Sequence, residues 1–116
     1  CKAYVTRVGE GPLEGEISFE EAKKRGWDEY GTVTGRQRRA APFNHKLAKR
    51  AAMINGATQL AVTKLDILYP DCAGSNDYDS LCDEAKAFIA DIEEKVGLPV
   101  TMIGTGPGVK ELIDRR

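Results

Sequence analysis

The feature that most restricts this chain is an amphipathic stretch between two β-prone runs. Thr58–Thr63 (TQLAVT) and Leu98–Ile103 (LPVTMI) are short, β-prone and almost uncharged. Runs of this kind suit strands buried on both faces. Between them Asp83 to about Val96 reads as a helix, with Ala87, Ile89 or Ala90, and Glu93 to Val96 giving a mixed face and Gly97 supplying a left-handed stop. The alternation of strands and helices along the chain argues for a sheet that is at least partly parallel.

The rest of the chain extends this pattern. Lys2–Arg7 alternates like a strand and is stopped by the Gly9–Pro12 segment. Ser18 and Glu21 form a capping box that predicts a short helix ending at Gly26. Residues 28–42 show no period and read as a loop. Asn44 caps a helix running to about Gly56, with Leu47, Ala51 and Ile54 on one face. Tyr69–Leu81 reads as a loop, and a last short helix is expected from about Val109. The predicted class is α/β: one segment, residues 1–116, forming part of a larger, partly parallel sheet flanked by helices. Because the chain begins at Cys1 and opens directly on a strand, it is expected to be a piece of something longer.

Composition narrows the function classes. Lys and Arg total 17 against 18 Asp and Glu, a net charge of −1. That balance argues against a nucleic-acid or membrane-surface partner. No apolar run reaches the roughly 18 residues of a membrane span, and no signal peptide is visible. Cys1, Cys72 and Cys82 fit neither a CxxC pair nor a zinc pattern, and their odd number suits a reducing, cytoplasmic interior.

Three stretches can carry chemistry. Thr63-Lys64-Leu65-Asp66 closes the first buried strand. A carboxylate there accepts from both N1–H and the exocyclic amine of guanine, a donor pair adenine lacks. The Lys64 stem can lie along the base. The alternative is a solvated Lys and Asp at a strand end. Gly104-Thr105-Gly106-Pro107-Gly108 closes the second strand. Its N–H groups can line a base or phosphate, or it is simply a glycine-rich connection. It lacks the Gly-Lys-Ser/Thr of a phosphate loop. If the two strands are neighbours, both loops face one pocket. The third stretch, Gly31–Arg39 (GTVTGRQRR), sets three arginines beside two threonines. It suits a small carboxylate or phosphate held by bidentate guanidinium groups, a solvated basic loop, or a nucleic-acid patch.

The remaining residues offer less. His45 has no second His and reads as a helix surface residue. Asp71 and Asp77–Asp79 lack calcium-loop spacing. Glu93-Glu94-Lys95 reads as a solvated face, and Trp27 and Tyr30 as anchors for the basic loop. No Ser/His/Asp or Cys/His arrangement can be assembled.

In order along the chain, YVTRVGEGP (Tyr4–Pro12), EYGTVTGRQRR (Glu29–Arg39), INGATQLAVTKLD (Ile54–Asp66) and GLPVTMIGTGP (Gly97–Pro107) resemble adenylosuccinate synthetase, in its compact, archaeal-type form. The resemblance covers essentially the whole chain and implies GTP-dependent joining of IMP and L-aspartate to adenylosuccinate, in a cytoplasmic homodimer using Mg2+. It implies that Thr32, Val33, Thr34, Gly35, Arg36, Gln37 and Arg38 form the aspartate loop. Arg36 would also reach IMP, with Val8 near the ribose. Arg38, Lys64, Leu65, Asp66, Gly104, Thr105 and Gly106 would face GTP, within guanine segments 63–66 and 104–107. The family's phosphate loop, catalytic Asp and catalytic His lie in an N-terminal region, and no string such as GDEGKGK occurs here. No catalytic residue and no metal ligand is therefore expected in this chain, and the segment alone is expected to be inactive. Val33 and Gln37 stand where the family commonly has Thr and Arg, and Gly104 where it has Ser. The first two leave room for a related synthetase that takes dGMP. A stand-alone guanine-nucleotide-binding module is the reading from another class.

Overall fold

The computed structural model describes residues 1–116, which fall into two units: Tyr4–Asn44, and Cys1–Ala3 with His45–Arg116. The class is α/β, as the alternation predicts.

In the Tyr4–Asn44 unit, strands β1 (Tyr4–Arg7) and β2 (Arg39–Pro42) pair antiparallel from Tyr4↔Pro42 to Arg7↔Arg39. Helix α1 (Phe19–Arg25) forms where the capping box predicts. Ser18 Oγ accepts from the Glu21 N–H at 3.0 Å, and Gly26 ends the helix at φ 74°. Trp27 is buried and stacks on Tyr4, ring centroids 5.3 Å apart. The expected 28–42 loop is thus partly strand. Arg39-Ala-Ala-Pro42 carries no alternation, because Ala40 and Ala41 are both buried and their small side chains give no periodic signal.

The second unit carries a three-stranded mixed sheet in the order β3–β4–β5. Strands β3 (Leu60–Val62) and β4 (Val100–Gly104) are parallel, with Leu60↔Val100 and Val62↔Ile103 in register. Lys2 adds a parallel bridge to Thr63 on the outer side of β3. The crossover is made by α3 (Leu65–Leu68), two 3-10 turns (Pro70–Cys72 and Tyr78–Ser80) and α4 (Asp83–Val96). Helix α4 buries Ala85, Ile89, Ile92 and Val96, spaced at helical period, and Gly97 ends it at φ 82°. Ala87 and Ala90, read as part of its mixed face, are exposed. Ile89 and Ile92 join Val62, Leu65, Val100, Ile103 and Ile113 in the core.

One further expectation is corrected. The last segment is strand β5 (Leu112–Asp114), antiparallel to β4 through Ile103↔Ile113, and not a helix from Val109. Val109 is 96% exposed, and only Ile113 turns inward. In α2 (His45–Ile54) the Leu47, Ala51 and Ile54 face points outward, and Ala52 is the buried residue. Where sequence reading gave an unbroken loop from Tyr69 to Leu81, the 3-10 turns bring Cys72 beside Cys82, their sulfurs 3.7 Å apart.

Candidate functional site

The parallel pairing of β3 and β4 brings two of the three stretches together. Both strands end on the same side of the sheet, where parallel α/β folds place ligands. After Val62 the chain turns sharply at Lys64, the one non-glycine residue with positive φ (64°). A left-handed conformation costs an L-residue about 1–2 kcal/mol, and fully buried Leu65 on the next turn anchors it. This turn leaves Lys64 exposed and Asp66 half-exposed. Opposite them, Gly104 lies so close to β3 that an added Cβ would sit 3.4 Å from Thr63 Cα. A cavity of about 420 Å3 lies between Thr63, Lys64, Asp66 and Ile67 on one wall and Gly104, Gly106 and Pro107 on the other. Its size is within the range of small-molecule sites.

The glycine-rich wall is held from behind. Thr105 is fully buried, so its own side chain faces protein and only the backbone around it faces the cavity. Its Oγ1 donates to Ser75 O at 2.5 Å, and its carbonyl accepts from Gly74 N at 3.0 Å. Glu111 closes the loop from the other side. The Thr105 N–H donates to Glu111 O at 2.9 Å, and the Gly108 N–H donates to Glu111 Oε1 at 3.0 Å. A Cβ on Gly106 would overlap the Glu111 carboxylate, so Gly106 and Glu111 share one space. Sequence reasoning missed Ile67, Ser75 and Glu111. Only Glu111 left a signal: an acceptor placed just beyond a glycine loop rich in N–H groups.

The arginine stretch lies in the other unit and forms a tight reversal of its own. Tyr30 bridges Gln37, the Arg38 N–H donates to Glu29 O at 2.7 Å, and the Gly31 N–H to Arg36 O at 2.9 Å. Residues 32–35 form the exposed tip, with Gly35 at φ 66° and Val33 95% exposed. Thr34 Oγ1 accepts from the Arg36 N–H at 3.4 Å. The Arg36 side chain reaches into solvent, while Gln37 Nε2 donates to Phe19 O at 3.0 Å. Arg38 turns inward, Nη1 lying 3.7 Å from Glu29 Oε1, and its buried Nε has no hydrogen-bond partner. Tyr30, expected as an anchor, is half-exposed, whereas Trp27 is buried.

Val8 leaves β1 directly after Arg7, whose register partner is Arg39. Val8 and the arginine reversal therefore occupy the same end of the ladder. The Val8–Pro12 turn is held by two arginines. Arg7 donates to Glu10 O (3.0 Å) and Pro12 O (2.8 Å), and Arg39 to Gly9 O (2.8 Å) and Gly11 O (2.7 Å). Arg39 also grips Glu16 with a two-pronged pair at 2.7 and 2.8 Å, which lowers the Glu16 pKa. Of the three arginines in the stretch, Arg39 is structural and Arg36 is available to a ligand.

No cluster of three or more His, Cys, Asp or Glu groups has the geometry to hold a metal ion. No helix is long and apolar enough to cross a membrane.

Residues 1–70 match the family model for adenylosuccinate synthetase. The chain belongs to the adenylosuccinate synthetase family. The adenylosuccinate synthetase of Methanosphaera stadtmanae is 57% identical over 115 residues, 99% of this chain and 34% of that protein. That of Methanococcus maripaludis strain S2 is 54% identical with the same coverage. The chain thus spans about a third of the length of these relatives. Among solved structures, fully ligated adenylosuccinate synthetase from Plasmodium falciparum superposes with a TM-score of 0.86 at 24% identity, over 99% of this chain and 38% of that one. The succinoaminodeoxyadenylate synthetase of cyanophage S-2L, bound to dGMP and dATP, gives 0.68 at 22% identity, over 99% and 32%. At these identities the two structures speak to fold alone.

Proposed function

We propose that this chain supplies the guanine pocket and the aspartate- and IMP-binding loops of an adenylosuccinate synthetase that joins IMP and L-aspartate at the expense of GTP. The observation that carries the reading is the meeting of Asp66 and the Gly104–Pro107 backbone in one cavity at the ends of two parallel strands. In this reading the Asp66 carboxylate accepts from N1–H and the exocyclic amine of guanine. The Lys64 stem lies along the base, and Leu65 fixes the turn that presents both. Backbone groups of Gly104 and Gly106 line the opposite edge, and Thr105, whose N–H and carbonyl are already paired with Glu111 and Gly74, acts on GTP only by holding that wall in place.

In the other unit the exposed tip Thr32-Val33-Thr34-Gly35 and Arg36 hold the aspartate carboxylates. Arg36 also reaches IMP, beside Val8. Gln37 and Arg38 complete the loop, with Arg38 toward the phosphate side of GTP. Preorganised guanidinium charge near a transferring phosphoryl group is sound electrostatics. The phosphate loop, the catalytic acid and base, and the Mg2+ ligands belong to the remaining two-thirds of the enzyme. The segment alone is inactive in this reading, and the whole enzyme is a cytoplasmic homodimer.

The test is Asp66→Asn in the complete enzyme. Removing one charged acceptor from a donor pair is expected to raise the KM for GTP by roughly 10-fold or more. It should also narrow the preference for GTP over ITP, which lacks the exocyclic amine. An unchanged KM for GTP overturns the role. A synthetase that accepts dGMP is the second reading, favoured by Val33 and Gln37 in the aspartate loop. Turnover of the complete enzyme with IMP against dGMP separates the two.

A further inference from the structure

Cys72 and Cys82 play no part in the proposed chemistry, yet their sulfurs lie 3.7 Å apart. Cys72 is the buried last residue of the first 3-10 turn, and Cys82 sits just before α4. Cys82 also lines a second cavity, about 380 Å3, whose rim carries Asp71, Asp83 and Glu84. The segment between the two cysteines holds the guanine wall from behind, through Gly74 and Ser75 on Thr105.

We propose that Cys72 and Cys82 form an oxidisable dithiol that a small neutral peroxide, entering beside Cys82, converts to a disulfide, and that closing the bond shifts the support of the guanine loop. The second part rests on the guanine reading above. The carboxylates at the cavity rim favour a neutral oxidant over an anionic one. Cys82, open to the cavity, reacts first. Its thiolate sulfur attacks one peroxide oxygen, the O–O bond breaks, and hydroxide leaves and is protonated to water. Cys82 is then a sulfenic acid. Cys72, whose thiol pKa is raised by burial, resolves it: its sulfur attacks the Cys82 sulfur, the S–OH bond breaks, and the hydroxyl leaves as water with the Cys72 proton. Two thiols and one peroxide give one disulfide and two waters. The sulfurs must close from 3.7 Å to about 2.05 Å, and the backbone of Gly74 and Ser75 moves with them.

Both cysteines fall in one tryptic peptide, Leu65–Lys86. The complete synthetase is treated with hydrogen peroxide, alkylated, digested and weighed, and its KM values are measured before and after dithiothreitol. The expected peptide is two hydrogens lighter and resists alkylation until reduced. In Cys72→Ser, Cys82 should instead be trapped as the sulfenic acid by dimedone. The less buried Cys82→Ser should leave Cys72 free to alkylate. Oxidised enzyme should show a several-fold higher KM for GTP, reversed by dithiothreitol, with the KM for IMP unmoved. If both thiols still alkylate after peroxide, or Cys82 goes on to the sulfinic acid beside a free Cys72, the dithiol is refuted. If the disulfide forms and the KM for GTP stays put, the coupling is refuted. Asp66→Asn, assayed alongside, shows whether the guanine reading failed instead.

Discussion

Gly106 and Glu111 divide a single space, and that makes a sharp residue-scale prediction. Gly106→Ala drives its methyl into the Glu111 carboxylate and displaces it from the Gly108 N–H. A loss of about 1–2 kcal/mol is expected. In a Glu111→Ala background the same change should cost markedly less, and a thermal-unfolding double-mutant cycle measures the difference. Additive effects would mean the two residues do not share that space. Arg39 and Glu16 give a second prediction with a definite sign. The Arg39 hydrogen bonds lower the Glu16 pKa, so the tie is whole above the ordinary glutamate range and is lost as pH falls through the lowered value. In Arg39→Lys, which cannot form the two-pronged pair, the Glu16 carboxyl carbon should titrate nearer the ordinary range by NMR. At this scale sequence reading named Asp66, Lys64 and the glycines. It had no means of naming Ser75, whose role depends on contacts the fold creates, and only a weak signal for Glu111.

At the scale of elements, amphipathic period and caps were the legible part. α1 lies where its capping box and terminal glycine predict, and α4 where its amphipathic period and terminal glycine predict. What period and caps leave open is set by tertiary packing. Helix α2 shows an apolar stripe, but the helix buries Ala52 and leaves Leu47 and Ile54 more than half exposed. β5 is three residues long with a single inward side chain, too short to show a period. The strand assignment is testable. Ile113→Ala should cost about 2–4 kcal/mol, as for other buried Ile truncations, whereas Val109→Ala should change the melting temperature little. Comparable losses at both positions would favour a packed helix from Val109.

For the whole molecule, the sequence shows an α/β chain and its two candidate loops, while their meeting depends on the pairing of β3 with β4 that the crossover allows. The residues that hold a guanine in the proposed reading lie within one unit, and no phosphate-holding loop accompanies them. Calorimetry of the 1–116 polypeptide with GTP should therefore show weak binding or none. A Kd below about 10 μM, near −7 kcal/mol, would favour a self-sufficient binding module over an enzyme segment. The parallel pairing also has a consequence for biosynthesis. The two walls of the cavity are separated in the chain by α3, both 3-10 turns and α4, so a ribosome releases the Asp66 wall well before the glycine wall. Until β4 and Glu111 have emerged, the nascent chain carries half a pocket and has nothing for nucleotide to stabilise. In the proposed reading, GTP can protect this region only once both walls have left the ribosome.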